Sequence, residues 1–203
     1  MRIITISRRF GSGGRELAEK LAKNLGFTYY DRNIITEIAK KTSLSERFIT
    51  DNIEKSFTAY PTHFGRGSFY SPLIDKNAIA AVVAQKSVMT ELAAKSDAVF
   101  VGRAADVILA EFKPFNIFVC AERQARIERC RNRVQTFAGL SDREILKQMD
   151  KVDAERAKCR RLYSDKKWGD PVSYHLTVNT TGIDIDAIVP AIADYVKGWF
   201  DEK

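Results

Sequence analysis

The sequence of 203 residues has few residues of the kinds that build disulfide frameworks or metal sites. Its three cysteines, Cys120, Cys130 and Cys159, are an odd number without tight spacing, which argues against disulfide cross-links and against a zinc site. The two histidines, His63 and His175, are far apart and lack metal-ligand spacing. We therefore expect neither a disulfide-stapled protein nor a zinc protein.

Long hydrophobic runs are also missing. No apolar run approaches the roughly 18 residues that a membrane helix needs, and the N-terminal "MRIITISRRF" is typical of a strand and a loop rather than of a signal peptide. Hydrophobic residues make up 45% and charged residues 29% of the chain, which is ordinary for a globular protein. We expect a cytoplasmic protein that does not associate with membranes.

Charge of one sign is in excess, since the net charge is +7. Nucleic-acid binding predicts basic residues over a broad face, whereas an anionic small molecule predicts arginines near one site. Many arginines lie in "ERQARIERCRNRVQ" and "DAERAKCRRLYSDKK", between residues 123 and 161. We favour a small anionic substrate and expect no nucleic-acid partner, although a solvated helix face would explain most of these arginines equally well.

Short apolar runs alternate with helical patterns along the whole chain. The runs at 2–7, 27–31, 97–102, 115–121 and 174–180 read as strands, and helix patterns separate them. Strands that are almost wholly apolar indicate a parallel sheet covered on both faces. We predict one α/β domain over residues 1–203, a doubly wound five-stranded parallel sheet with helices on both faces.

Three segments stand out from this pattern. Residues 56–72 are aromatic, contain Gly and Pro, and predict a long loop. The helix at 73–94 is apolar enough to serve either the core or a homodimer interface, and the sequence leaves both open. The segment 141–164 begins with a capping box, Ser141 with Glu144, and continues as a highly charged helix.

The stretch "SRRFGSGGRE" lies between the first strand and the first helix. In such sheets, ligands bind beyond the carboxyl ends of the strands. Glycines allow backbone N–H groups to turn toward an anion, and the helix N-terminus adds partial positive charge. We predict a phosphate-binding loop here, and the alternative is a tight turn without a ligand. Its candidate residues are Arg8, Arg9, Gly11, Ser12, Gly13, Gly14, Arg15 and Glu16.

This loop departs from the P-loop pattern G-x-x-x-x-G-K-[ST]. Arg8 falls at the first glycine, Gly13 matches the second, and Gly14 replaces the lysine. Arginine grips phosphate oxygens in pairs, so we predict that Arg8 or Arg15 replaces the lysine charge. Glu16 is the candidate ligand for Mg²⁺, directly or through water.

Further candidates follow the second and third strands. Arg32 and Arg103 are expected to clamp the phosphate of an acceptor, and Asp31 to orient a hydroxyl group or act as a base. The alternative for Asp31 is the N-cap of the helix that follows. Closing arginines are expected on the basic helices, where residues four apart share a face: Arg129, Arg133, Arg156, Arg160 and Arg161.

The segments "GSGG", "VFVGRAADVIL", "NIFVCAERQARIERCRNR" and "LTVNTTGIDIDAI" occur in an order that resembles bacterial cytidylate kinases. The chain is more similar still to the cytidylate kinase-like proteins, whose loop also lacks the lysine. The resemblance implies transfer of the γ-phosphoryl group of ATP, with Mg²⁺, to a nucleoside monophosphate. It further implies a P-loop kinase fold, an acceptor-side helical region at 32–95 and a lid at about 123–165.

The resemblance also assigns residues to roles. Gly11, Ser12 and Gly13 match the phosphate loop, Gly102 and Arg103 match a Gly-Arg-Asp acceptor motif, and Asp153, Arg156 and Lys158 match a D-x-x-R-x-R lid pattern. Arg156, Arg160, Arg133 and Asp153 are accordingly the predicted catalytic residues. The departures are Gly14 for the loop lysine and Ala104 for the aspartate that helps to hold the nucleoside.

Three functions follow as hypotheses. The first is a kinase that uses ATP and Mg²⁺, with CMP as the default acceptor and another small molecule as the alternative. The second is a catalytically inactive nucleotide-binding sensor, which the missing lysine favours. The third is a nucleic-acid-binding protein, and it ranks last because no motif of that class is present.

Overall fold

The computed structural model describes residues 1–55, 76–133 and 135–202. Five strands form one sheet, in which every neighbouring pair is parallel. Their order is β2-β3-β1-β4-β5. The strands are β1 (Ile3–Arg8), β2 (Thr28–Tyr30), β3 (Ala98–Val101), β4 (Phe115–Cys120) and β5 (Leu176–Asn179).

Helices connect the strands. They are α1 (Gly14–Leu25), α2 (Asn33–Thr42), α3 (Glu46–Lys55), α4 (Lys76–Ala93), α5 (Ala105–Ile108), α6 (Arg123–Arg133), α7 (Asp142–Arg161) and α8 (Ile185–Asp201). Short 3-10 helices lie at Ala110–Phe112, Gln135–Phe137 and Pro171–Ser173. The predicted loop at 56–72 and the start of the predicted helix 73–94 lie outside the described residues.

Alternation along β1 divides the core between the two faces of the sheet. Ile3 packs with α2, α4 and Phe100, whereas Ile4 and Ile6 pack with α1 and α8. Successive side chains of a strand point to opposite faces, so β1, which is buried from Ile3 to Ser7, needs helices on both faces of the sheet. The predicted fold, a doubly wound five-stranded parallel sheet, is confirmed.

The helices α6 and α7 form a third small core that does not include the sheet. Ile127 and Cys130 of α6 pack against Ile145 and Met149 of α7. The predicted capping box is present, because Ser141 Oγ accepts from the Glu144 N–H and Glu144 accepts from the Ser141 N–H. This helical pair lies in the segment predicted to be a lid, which stays a prediction, and α6 and α7 are called the lid helices below. They lie beside the carboxyl end of β1, since Arg156 of α7 donates to the Arg8 carbonyl.

Candidate functional site

The glycine loop between β1 and α1 turns sharply and packs against α6. Gly11 and Gly13 have φ values of +74° and +75°, in the left-handed region that favours glycine. A Cβ atom on Gly11 would lie 2.7 Å from Cys130 Sγ and 2.9 Å from the Arg126 carbonyl oxygen. The loop therefore requires glycine both for its conformation and for its close approach to the lid helix.

The N-terminus of α1 faces the same cleft without a capping side chain. Gly13 is the N-cap residue and supplies no side-chain hydrogen bond. The N–H groups of the first helical turn have no acceptor within the helix, and the helix dipole adds partial positive charge there. This end of α1 therefore offers N–H donors to an anion.

Three arginines from the lid helices hold the carbonyl groups of this loop. Each donates from its guanidinium group to a different backbone oxygen, so the loop is supported from outside the sheet. The bonds join Arg126 Nε to Phe10 O at 2.6 Å, Arg129 Nη1 to Gly11 O at 3.0 Å, and Arg156 Nη1 to Arg8 O at 2.8 Å. Their guanidinium groups lie beside the loop that leads into the N-terminus of α1.

Asp153 of α7 holds both the glycine loop and Arg126. Its carboxylate accepts from the Phe10 N–H at 2.7 Å and from Arg126 Nη2 at 2.6 Å, and it lies 3.7 Å from Arg9 Nη1. Asp153 is 5% exposed and Arg126 is 3% exposed, so both charges of the pair are buried. Asp153, which we predicted to be catalytic, is placed where it positions the loop.

Asp31 lies at the carboxyl end of β2 and bridges two arginines. Its carboxylate is 3.0 Å from Arg15 Nε and 3.7 Å from Arg8 Nη2. The N-cap alternative for Asp31 is wrong, because Arg32 occupies the N-cap position of α2. The Asp31 N–H instead donates to Asn33 Oδ1 at 2.8 Å. The Asp31 side chain is therefore directed toward the loop arginines.

The turn after β3 is unusual in its backbone. Gly102, Arg103 and Ala104 have φ values of +75°, +56° and +52°, so three successive residues are left-handed and two of them are not glycine. Strained backbone of this kind concentrates at functional sites. The Arg103 carbonyl accepts from Nε2 of the buried Gln85 at 3.5 Å, and α4 thereby supports the turn.

The three predicted catalytic arginines have carboxylate partners, and for Arg156 the partner is Asp153, 3.8 Å from its Nη1. Arg160 is 4% exposed, and its Nε donates to Asp106 at 2.8 Å. Arg133 is exposed and donates to Glu16. Although burial pushes the pKa of Glu16 upward, hydrogen bonds from Arg133 and Lys20 hold that pKa below its usual value.

The side chains near the loop fit a protein-bound Mg²⁺ poorly. Arg15 stands where a P-loop has Ser or Thr, and the Ser12 hydroxyl donates to the Arg9 carbonyl at 2.8 Å. Glu16, the predicted ligand, already accepts from Lys20 and Arg133. Within the described residues, no group of three or more His, Cys, Asp or Glu side chains is arranged to hold a metal. We therefore derive no step through a metal held by the protein.

These elements enclose a cleft of 730 Å³. Nine arginines and five acidic residues line it, an excess of four positive charges. The arginines are Arg8, Arg9, Arg15, Arg32, Arg103, Arg129, Arg133, Arg156 and Arg160, and the acids are Glu16, Glu19, Asp31, Asp106 and Glu155. A cleft that concentrates one sign of charge attracts ligands of the other sign.

The structure brings most of the predicted residues together. Of the predicted loop, acceptor and catalytic residues, all line the cleft except Ser12 and Asp153, which are buried beside it. Sequence reasoning missed Arg126, Asp106, Gln85 and Thr180. Thr180 donates to the Ser12 carbonyl at 2.7 Å. A signal for Arg126 was available, since it lies three residues before Arg129 and seven before Arg133, on one helical face.

The strand order, the glycine loop on β1 and the arginine-lined cleft define the class of P-loop kinase folds. Comparison with known proteins then gives the family. The cytidylate kinase-like family matches residues 3–182, and the chain belongs to that family.

Individual relatives agree with this assignment. The chain is 25% identical, over 226 aligned positions, to a cytidylate kinase of Streptococcus thermophilus, covering 98% of this chain and 97% of the relative. An uncharacterized protein from Eubacterium ventriosum superposes with a TM-score of 0.70 at 23% identity, covering 97% and 99% of the two chains. Shikimate kinase from Bacteroides thetaiotaomicron has a TM-score of 0.58 at 12% identity, covering 97% and 98%. At these identities the two structures support the fold alone.

Of the helices in the described ranges, none combines the length and the hydropathy needed to span a bilayer.

Proposed function

We propose that this protein is an ATP-dependent phosphotransferase whose acceptor is a nucleoside monophosphate, with CMP first, or another small hydroxyl compound. One observation carries the proposal: nine arginines surround the uncapped N-terminus of α1 in a single cleft. The family and the relative named cytidylate kinase support the same reading.

Phosphoryl transfer needs positioning and charge stabilisation more than covalent chemistry from the protein. The N–H groups of the first α1 turn would bind the phosphates of ATP. An anionic phosphate oxygen of a nucleoside monophosphate, or a hydroxyl oxygen that gives up its proton to Asp31 or to water, would form a bond to the γ-phosphorus as the bond to ADP breaks. Asp31, at the end of β2, is our candidate for orienting that oxygen.

Mg²⁺ enters this proposal with the substrate, as the magnesium complex of ATP. Mg²⁺ usually keeps several waters and is held through substrate phosphates and one or two carboxylates. Arginine side chains from the lid would neutralise the remaining charge. Arg156 links the lid to β1, because it donates to the Arg8 carbonyl and lies over the Phe10 ring.

The test is a panel of acceptors, with CMP, the other nucleoside monophosphates and small hydroxyl compounds including shikimate. ADP formation from ATP with Mg²⁺ is measured for the wild type, for Arg156→Ala and for Arg131→Ala. Arg131 lies on the same lid but pairs with Asp142 at the surface, which makes it a matched control. We expect turnover with at least one acceptor, a loss of about 100-fold in Arg156→Ala, and wild-type turnover in Arg131→Ala.

Absence of turnover with every acceptor would contradict the proposal. The second candidate, a nucleotide sensor without catalysis, would then stand. It is favoured by one observation: Glu16 and Asp31, two carboxylates that line the cleft beside the loop, are both bound to basic side chains. A sensor would bind ATP, as measured by calorimetry, without producing ADP.

A further inference from the structure

Two of the positions at which this loop departs from the P-loop pattern are in contact with each other. Position 8 has Arg where the pattern has Gly, and position 14 has Gly where it has Lys. A Cβ atom on Gly14 would lie 2.5 Å from Arg8 Cβ and 3.1 Å from Arg8 Cγ. A Cβ atom essentially never lies under 3.0 Å from an atom to which it is not bonded in this way. A side chain at position 14 and the Arg8 side chain therefore exclude each other.

The Arg8 side chain runs from the end of β1 past Gly14 toward the acceptor end of the cleft. A Cβ atom on Gly102 would lie 2.0 Å from Arg8 Nη1, so the guanidinium group lies against the turn after β3. Its Nη2 is 3.7 Å from Asp31. The charge of Arg8 thus lies between the phosphate loop and the residues that follow β2 and β3.

The other arginines near the loop are placed differently. Arg15 is largely exposed and is held toward β2, because its Nε lies 3.0 Å from the Asp31 carboxylate. Arg9 lies over the Trp168 ring, on the lid side. Arg126, Arg129 and Arg156 donate to loop carbonyls. Of these arginines, Arg8 is the one whose Cβ and Cγ lie against Gly14, the position of the lysine, and whose guanidinium group lies against Gly102.

We propose that Arg8 replaces the P-loop lysine and contacts the outer phosphates of a nucleoside triphosphate, and that position 14 is glycine because the Arg8 side chain occupies that space. This inference rests on the proposed function and names a residue for it. A P-loop lysine projects from the C-terminal end of the loop, at position 14. Arg8 would reach the same phosphates from the N-terminal end of the loop.

The experiment exchanges the two residues. Binding of magnesium triphosphate and of ATP is measured by calorimetry, together with ADP formation, for Arg8→Gly, Gly14→Lys, the double variant and Arg8→Gln. Arg8→Gln keeps the stem that packs on Gly14 and removes the charge. We expect Arg8→Gly, Arg8→Gln and Gly14→Lys each to weaken triphosphate binding about 10-fold or more. The double variant, which has the sequence G-R-F-G-S-G-K, is expected to regain binding.

Arg131→Ala is the charge-matched control outside the cleft and is expected to bind as the wild type does. Wild-type triphosphate affinity in Arg8→Gln would overturn the inference, whether or not the other variants fold. A double variant that folds but binds no better than its single parents would also overturn it. Triphosphate binding that depends on Arg8 without transfer to any acceptor would reject the proposed function alone. Transfer that persists unchanged in Arg8→Gln would reject this inference alone.

Discussion

Tyr163, just beyond the end of α7, is a partly buried side chain that connects the lid helices to α4 and to the turn after β3. Its hydroxyl accepts from Gln85 Nε2 at 3.3 Å, and the same nitrogen reaches the Arg103 carbonyl. Gln85 is completely buried in α4. Burial, with a smaller effect of Cys159, raises the pKa of Tyr163 to about 12.

This pKa predicts a loss of stability at alkaline pH. In the unfolded chain Tyr163 loses its proton near pH 10, whereas the folded protein retains it up to about pH 12. The folded state therefore binds more protons in this window, and the free energy of unfolding falls as the pH rises from 10 to 12. Tyr163→Phe should remove this part of the alkaline loss, about 2 kcal/mol at most.

Urea unfolding at pH 8 and at pH 11 measures the effect. The control is Tyr195→Phe, since Tyr195 is half exposed on α8. Equal pH dependence in Tyr163→Phe and in the wild type would contradict the prediction.

At the scale of elements, a buried ion pair joins the lid helices to the glycine loop. Arg126 of α6 and Asp153 of α7 bond to each other and to opposite sides of Phe10, through its carbonyl and its N–H. A buried pair costs much in desolvation, and removing Arg126 would leave Asp153 with only the more distant guanidinium groups of Arg9 and Arg156, at 3.7 and 3.8 Å. The loop conformation therefore depends on both lid helices.

A double-mutant cycle tests this fastening. Arg126→Met and Asp153→Asn are each expected to lower the free energy of unfolding by about 3 kcal/mol or more. The double variant should lose clearly less than the sum, because neither charge is then left alone. The surface pair offers the control: Arg131→Ala, which breaks the contact with Asp142, should cost under about 1 kcal/mol. Additive losses at Arg126 and Asp153 would show that the pair acts independently.

The sequence predicted these helices well and their contacts poorly. Hydrophobic spacing and the Ser141 capping box fix α7, because they depend on neighbouring residues alone. Arg126 and Arg131 look alike in the run "ERQARIERCRNR", yet one is buried against Asp153 and the other is at the surface. Only the packing of α6 on the glycine loop separates them.

At the scale of the whole molecule, nine arginines line one cleft at the carboxyl ends of the strands. The predicted position of the site follows from parallel strands whose carboxyl ends meet at that edge. Strand order does not follow from the runs of apolar residues, and it is the order β2-β3-β1 that brings Asp31, Gly102 and Arg8 together. Pairings between residues so far apart in sequence leave no local pattern.

A concave site of this kind predicts preference for compact polyanions. Magnesium triphosphate at 100 times its dissociation constant should raise the free energy of unfolding by about 2.7 kcal/mol. The stabilisation should decline as salt increases, because exposed charges are screened. Thermal unfolding with triphosphate, or with duplex DNA of equal phosphate concentration, measures the preference. Greater stabilisation by DNA at physiological salt would revive a nucleic-acid function.

The contact between position 8 and position 14 also limits how a loop of this type can evolve from a loop with lysine, or return to one. A chain that gains Arg8 before it loses the lysine must fit two side chains into the space of one. A chain that loses the lysine first passes through glycine at both positions, with room but without the cation. Either order of changes thus passes through an ancestor whose loop is expected to bind phosphate more weakly. The loop without lysine is therefore expected to persist in a lineage once both changes have occurred.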